Sequence, residues 1–552
     1  MSGELNILYY GDNLDVLRRH VRDESVDLVY LDPPFNSNAN YNVLFEEHGE
    51  RAAAQIEAFE DTWEWNTEAA GAYQDVVERG GEVAKALLAF RTLLGTSDML
   101  AYLSMMAPRL VELHRVLKTT GSLYLHCDPT ASHYLKLLLD AIFGAERFVN
   151  EIVWQRTSAH SDARQGARHF GRTNDVLLFY AKTDAYTWHP QHVEHDPDYV
   201  RIHYPHVEPD TGRRFGLWDI TGPGGAAKGN PRYEIFGITK YWRYSEANMR
   251  QKILEGRVIQ PKPGAVPREV RYLDESSGAP LGTNWTDIAP INSQAKERLG
   301  YPTQKPLALL ERIITASSQR GDTVLDPFCG CGTAVDAAQA LGRSWVGIDI
   351  THLAIGLIKH RLVDRYGPEI AKTYRVIGEP TAVDDAAVLA REDPFQFQAW
   401  ALGLVGARPA GETKKGGDKG IDGRLYFHDS NGGPTRQIVF SVKAGEHLVP
   451  AYLHELRGVI EREQAEIGVL ITFNEPTAGM RSEAASAGFY TSPWGNHPRL
   501  QLRTVGQLLA GQGLDYPHVT GANVTHRRAA RARAEAPDSL KLFPAEGVDE
   551  ET

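Results

Sequence analysis

Short apolar runs alternate with segments of helical period along the first third of the chain. Ile7 to Tyr10 predicts a buried strand, Gly11-Asp12-Asn13 its turn, Leu14 to His20 a helix and Val26 to Leu31 a second strand, a β-α-β unit that closes on Asp32. Residues 46–95 are rich in Ala and Glu with Phe59, Trp63 and Trp65 interspersed, and predict a helical insertion. Apolar positions from Met99 to Leu117 recur at helical spacing, Lys118 to Gly121 is expected to cap that helix, and Ser122 to His126 reads as a strand. A helix from Ser132 to Ile142 and strands from Phe148 to Trp154 and Asp175 to Tyr180 follow. The periodicity returns at Lys305, with a helix from Leu307 to Ser317 and strands Thr323 to Leu325 and Trp345 to Ile348, the latter closing on Asp349. The fold class expected is α/β, a doubly wound, mostly parallel sheet.

Between Lys182 and Leu299 the period is lost. Gly222-Pro223-Gly224-Gly225 and Gly229-Asn230-Pro231 punctuate a stretch in which Arg213, Arg214, Lys228, Arg232, Lys240 and Arg243 are interleaved with Tyr233, Phe236, Tyr241, Trp242 and Tyr244. Cations among aromatics suit phosphate contact combined with base stacking, so Lys228, Arg232, Lys240, Trp242 and Arg243 are candidate DNA-binding residues. A solvated, irregular loop region is the alternative.

A smaller α/β unit ends the chain. Asp393-Pro394-Phe395 opens a helix through Leu404, residues 416–423 make a Gly-rich turn, and Arg424 to Phe427 with Gln437 to Val442 predict a hairpin ending in Lys443. A helix from Tyr452 to Ala465 and a strand from Ile467 to Phe473 follow. The expected boundaries are 1–183 and 300–378 for two halves of one core, 184–299 for an inserted recognition region, 379–391 for a linker, 392–515 for the last unit, and 516–552 for a disordered tail, basic and then acidic.

Composition narrows the classes. No apolar run reaches membrane-spanning length, and Met1-Ser2-Gly3-Glu4 lacks the basic start of a signal peptide, which predicts a cytoplasmic protein without membrane contact. Three cysteines, Cys127, Cys329 and Cys331, are too few for a disulfide framework and lack a second ligand pair for zinc. A net charge of −12 argues against blanket coating of nucleic acid but leaves room for a local basic surface.

Two motifs carry the candidate chemistry. Asp32-Pro33-Pro34-Phe35 follows a buried strand, and Asp326-Pro327-Phe328-Cys329-Gly330-Cys331-Gly332-Thr333 follows another, with glycines where backbone can approach a ligand. Taken alone, the first is also readable as an acid capping a Pro-fixed turn. Together with Gly11-Asp12-Asn13-Leu14, Tyr301-Pro302-Thr303-Gln304-Lys305-Pro306 and Asp349, in this order, they resemble the β-class amino-methyltransferases of DNA, in which the catalytic motif precedes the cofactor motif.

That resemblance implies a Rossmann-like class I methyltransferase core in permuted order, S-adenosylmethionine as cofactor and double-stranded DNA as substrate. It implies catalysis by Asp32, Pro33, Pro34 and Phe35, with Phe35 stacking on a flipped base. It places Asp326, Phe328, Gly330 and Gly332 at the methionine end of the cofactor, Gln304 and Lys305 beside it, Asp349 on the ribose and Asp12 on the adenine amino group. Asp before Pro33-Pro34-Phe35 favours adenine N6 over cytosine N4 by the family's association. In the last unit, Asp422 and Ser441-Val442-Lys443 resemble the Mrr-type restriction-endonuclease site, with Ser441 where that pattern has an acid or Gln. Asp422 is the candidate Mg²⁺ ligand there if the unit cuts DNA. A restriction-modification enzyme in one chain, a nuclease-like unit without activity, a non-catalytic DNA-binding protein, and a homodimer or restriction-system subunit all remain open.

Overall fold

The computed structural model describes residues 6–34, 39–47, 50–61, 65–157, 170–292, 295–301, 303–410, 420–430, 434–445, 447–517, 525–526 and 529–530. Phe35, Trp63, Pro302, residues 416–419 of the Gly-rich turn and most of the tail lie outside them. The chain divides into two compact units, residues 190–282 in one and the described residues on either side of them in the other.

A nine-stranded sheet organises the larger unit. Its strands are β1 (Asn6–Tyr10), β2 (Val26–Leu31), β3 (Leu117–Cys127), β4 (Phe148–Gln155), β5 (Asn174–Ala181), β6 (Asn284–Trp285), β7 (Thr323–Asp326), β8 (Ser344–Asp349) and β9 (Tyr374–Ile377). They lie in the order β6-β4-β5-β3-β2-β7-β8-β1-β9. Strands β3, β2, β7, β8, β1 and β9 run parallel, whereas β5 is antiparallel to both neighbours. All six residues of β2 are buried, as expected of a parallel strand covered on both faces. The helices are α1 (Asn13–His20), α2 (Thr67–Arg79), α3 (Gly81–Leu94), α4 (Asp98–Val116), α5 (Pro129–Phe143), α6 (Leu307–Ser317), α7 (Thr333–Ala340) and α8 (His352–Tyr366). Helices α2 to α5 pack their apolar faces into one cluster with β2, β3 and β5.

Two local expectations are overturned. The described residues of 46–95 are helical only from Thr67 on; Ala39–Glu47 and Glu50–Asp61 pair as antiparallel strands, because cross-strand pairing overrides the helix preference of an Ala- and Glu-rich segment. Nor does Lys118 to Gly121 cap α4. It forms the irregular start of β3, where the register against β2 jumps between Val26 and Leu28, and Lys118 Nζ reaches back to the Asp27 carboxylate at 2.7 Å.

The C-terminal residues fold within this same compact unit. A helix α9 (Pro394–Leu404), capped by the Asp393 carboxylate, precedes β10 (Gly423–Phe427), β11 (Arg436–Lys443), β12 (Ile467–Thr472) and β13 (Leu500–Thr504). The hairpin of β10 and β11 forms as expected, and β11, β12 and β13 are parallel. Gln396 Oε1 accepts the His352 amide at the start of α8 (3.1 Å), His526 stacks on His360 with ring centroids 4.3 Å apart, and the Ala529 amide donates to Asp364 (3.2 Å). No described helix is long and apolar enough to cross a membrane.

Helices α7 and α8 are locked by one buried acid. Asp336 accepts from Arg361 Nε (2.8 Å) and Tyr366 Oη (2.7 Å) and pairs with Arg365 Nε (3.0 Å), and its side chain is almost wholly buried. Removing one member leaves an uncompensated guanidinium in the core. Asp336→Ala is therefore expected to destabilise this unit by about 3–5 kcal/mol, read as a lowered thermal midpoint; an unchanged midpoint would show that the ion pair is dispensable.

Candidate active site

Four parallel strands deliver an acid each to one cavity, and each acid stands at or just past a carboxyl end, where open α/β sheets gather ligands. Asp12 follows β1, Asp32 follows β2, Asp326 ends β7 and Asp349 ends β8. Together with Lys305, Phe328 and Gly330 they line a cavity of about 280 Å³. Strand β2 stops at Leu31 because Pro33 and Pro34 have no amide hydrogen with which to continue the ladder.

Asp32 is the centre of this arrangement. One carboxylate oxygen, Oδ2, is ion-paired with Lys305 Nζ, whereas Oδ1 is buried with no hydrogen-bond partner among the described residues. Lys305 is held in place by the loop that precedes α6. Gln304 Oε1 accepts the Leu299 amide (2.8 Å), Gln304 Nε2 donates to the Glu297 carbonyl (2.6 Å), and the Glu297 carboxylate accepts the Leu307 amide (3.0 Å).

The second motif wraps the opposite wall. Asp326 Oδ1 accepts the Phe328 amide (3.1 Å), the Gly330 amide donates to Asp349 Oδ2 (2.9 Å), and Asp349 Oδ1 accepts from both the amide (2.9 Å) and the hydroxyl (2.8 Å) of Thr351. Burial pushes the Asp326 carboxyl well above the usual carboxylate range, with the charges of Asp32 and Asp349 adding to the effect. Burial raises Asp349 as well, against the pull of its hydrogen bonds. Tyr301, which packs against this loop, has its phenol pushed far up by the same cause.

Asp12 caps α1, its Oδ1 accepting the Leu14 (2.9 Å) and Asp15 (3.2 Å) amides, while Oδ2 is paired with Arg109 Nη2 at 2.6 Å. The same guanidinium donates to Asn13 Oδ1 (2.6 Å), and Asn13 Nδ2 donates to the Pro327 carbonyl (2.8 Å), tying the turn after β1 to the second motif. Nothing in the motifs points to Arg109; its one signal is a lone arginine on the buried face of α4, and its partners lie 96 and 97 positions away. Tyr30 is equally unmarked by any motif. It sits in the cavity wall two residues before Asp32, and its hydroxyl is fixed by His126 (3.0 Å), which in turn contacts Asp175 (3.1 Å).

Two expected site residues take other roles. Gly332 is not in the cavity wall. Its φ of +76° caps α7, and a Cβ there would lie 2.7 Å from Ile358 of α8, so glycine is demanded by helix packing rather than by a ligand. Gly330, by contrast, lines the cavity with a φ of +48°. Trp242 is 0% exposed, with its indole N–H bonded to the Tyr233 carbonyl (2.9 Å) and its ring among Ile220, Ile235, Met249 and Val258. It is the core of the 190–282 unit, not a stacking surface. Lys228, Arg232, Lys240 and Arg243 are exposed.

In the C-terminal sheet, Asp422 precedes β10 and turns its Oδ2 onto the Val442 amide (2.6 Å). Ser441 is buried in β11, and Lys443 at its end places Nζ 5.1 Å from the Tyr452 ring. No group of three acids, histidines or cysteines placed to hold a metal occurs among the described residues. All three cysteines are free and buried, with thiol pKa values raised by burial.

The chain is similar in sequence to known proteins. The profile of a family described as DNA methylase matches residues 26–360, and one described as restriction endonuclease matches residues 389–490. The Type II methyltransferase M.EcaI of Enterobacter cloacae is 28% identical over 360 residues, covering 64% of this chain and 69% of its own length. The StyLTI Mod subunit of a Type III restriction-modification enzyme of Salmonella typhimurium is 29% identical over 358 residues, 61% of this chain and 50% of its own. DNA adenine methyltransferase YhdJ of Escherichia coli is 27% identical over 375 residues, 67% of this chain and 87% of its own. With the first profile spanning more than half of its length and every cavity acid but Asp12 inside the match, this chain belongs to the DNA methylase family.

Proposed function

We propose that the protein transfers a methyl group from S-adenosylmethionine to adenine N6 in double-stranded DNA, on a base drawn out of the stack. The observation that carries this reading is Asp32, with one oxygen engaged by Lys305 and the other buried and unused in the same cavity as Asp326 and Asp349. An exocyclic amine is a poor nucleophile because its lone pair is delocalised into the ring. Asp32 Oδ1 and the Pro33 carbonyl can each accept one of its hydrogens, which favours a more tetrahedral nitrogen with its lone pair directed outward. A stacked base cannot reach a cavity of this kind, so it must leave the duplex first.

The donor set suits the cofactor. Acids crowded until burial raises their pKa values make a site for a cationic ligand, and S-adenosylmethionine, when bound, supplies an electrophilic methyl on a sulfonium. Asp12 retains one acceptor position for an amino group after the bonds it already makes, and Asp349 lines the same cavity for a ribose hydroxyl. Asp326, Phe328 and Gly330 would hold the methionine end, with Lys305 beside it and Gln304 bracing the loop. Cytosine N4 is the other target this chemistry allows. Identifying the modified base and its sequence context in DNA from cells expressing the protein separates the two.

Asp32→Ala is expected to lower methyl incorporation by about 100-fold or more, with cofactor affinity largely kept. Tritiated methyl transfer and equilibrium binding measure the two; near-normal transfer would remove Asp32 from catalysis. Replacing Lys240 and Arg243 with Ala is expected to weaken DNA binding and to make the log–log salt dependence shallower by about 1.8, without changing cofactor affinity. An unchanged slope would place DNA contact elsewhere.

The C-terminal unit we read as a nuclease-like module that contacts DNA without cutting it, within a restriction-modification system. Supporting this are Asp422, already engaged by a backbone amide, and the buried Ser441 where the related pattern carries an acid. Intact protein is expected to leave unmethylated DNA uncut with Mg²⁺ or Mn²⁺. Cleavage that disappears in Asp422→Ala or Lys443→Ala would make it a single-chain restriction-modification enzyme instead.

A further inference from the structure

The 190–282 unit carries a strained hairpin whose tip takes no part in the unit's core. Arg232–Ile235 and Ile238–Tyr241 pair in antiparallel register, Ile235 opposite Ile238, so that Phe236 and Gly237 alone make the turn. Both have left-handed backbone, with φ of +49° and +77°, the signature of a two-residue type I′ turn. Asn-Gly is the favoured pair for that geometry, because a short polar or absent side chain tolerates positive φ. A bulky aromatic there is an outlier. The side chain is 45% exposed, and the cluster of Ile220, Ile235, Trp242, Met249 and Val258 that anchors the hairpin base does not include it. Packing therefore does not account for Phe236.

The base of the hairpin is firm. Trp242 locks onto the Tyr233 carbonyl at 2.9 Å, the Gly222 amide donates to the Tyr241 carbonyl at 2.7 Å, and Gln260 Nε2 reaches the Phe236 carbonyl at 3.5 Å. From Lys228 to Arg243 there are four cations, Lys228, Arg232, Lys240 and Arg243, against one acid, Glu234, a local charge of +3 in a chain of net charge −12. All four cations are exposed.

We propose that this hairpin is a DNA-inserting element, with Phe236 as a wedge that enters the base stack and the flanking cations as its phosphate anchors. Apolar side chains inserted between base steps unstack them, and a rigid, basic hairpin is a suitable carrier. The proposal deepens the DNA methyltransferase reading and rests on it for its ligand.

The test uses the full-length protein and duplexes carrying the recognition sequence, with 2-aminopurine placed at successive positions. Wild-type protein is expected to raise the fluorescence at one step on binding, even without cofactor. Phe236→Asn, which suits the I′ turn, is expected to keep or raise the thermal midpoint, lose that signal and slow methylation of intact duplex at least tenfold. Phe236→Trp is expected to restore both. Lys240→Ala should weaken binding yet give the full signal at saturation. A fall in the midpoint of Phe236→Asn that matches its loss of activity would make Phe236 a structural residue, and an undiminished signal in that variant would overturn the proposal. Should wild-type protein insert into DNA but transfer no methyl group, the methyltransferase reading fails while the wedge stands; methyl transfer with no Phe236-dependent signal refutes the wedge and leaves the methyltransferase reading intact.

Discussion

The parallel pairing of β2 with β7, Leu28 against Val324 and Val29 against Leu325, is the contact on which everything else in the site depends. It joins segments almost 300 residues apart, and its register carries Asp326 level with Tyr30, two positions before Asp32, so that both acids reach the same cavity. Closing so long a loop costs less than its length suggests, since the entropy grows only logarithmically, by about 0.6 kcal/mol for each doubling. The apolar strands on both sides recover far more than that. The Asn13 bond to the Pro327 carbonyl and the Arg109 bridge to Asp12 then tie the turn after β1 to the end of β7 and to α4.

Concentrating acids at one end of a sheet has an electrostatic cost that the chain offsets locally. Lys305 neutralises Asp32, Arg109 neutralises Asp12, and Asp349 is held by two amides and a hydroxyl. Asp326 has only the Phe328 amide among the bonds described, and burial raises its carboxyl well above the usual carboxylate range. Asp326 is the acid proposed to lie at the methionine end of the cofactor.

Much of this was legible in the sequence because the signals were local. Buried parallel strands are continuous apolar runs, the two prolines after Asp32 announce the end of β2, and Asp393-Pro394 marks a helix start that the structure reproduces, with the Asp393 carboxylate on the first amides of α9. What escaped was decided at long range. Ala39–Glu47 and Glu50–Asp61 pair with each other as antiparallel strands against their helix preference. Arg109 needs Asp12 and Asn13 to reveal its purpose, Trp242 reads as a surface aromatic until the cluster around it closes, and Gly332 answers to Ile358 rather than to the cavity.

Strand order also sets a schedule for biosynthesis. Between β1 and β2, neighbours in sequence, lie β7 and β8, which are made only after the whole 190–282 unit. At about 5–20 residues per second, the ribosome takes on the order of 15–60 s to supply the strands that fill that gap. Throughout that interval the facing edges of β1 and β2, apolar and rich in free amides and carbonyls, have no partner from their own sheet. A nascent chain of this topology is a natural client for holding chaperones, and the N-terminal half expressed alone would keep those edges open indefinitely.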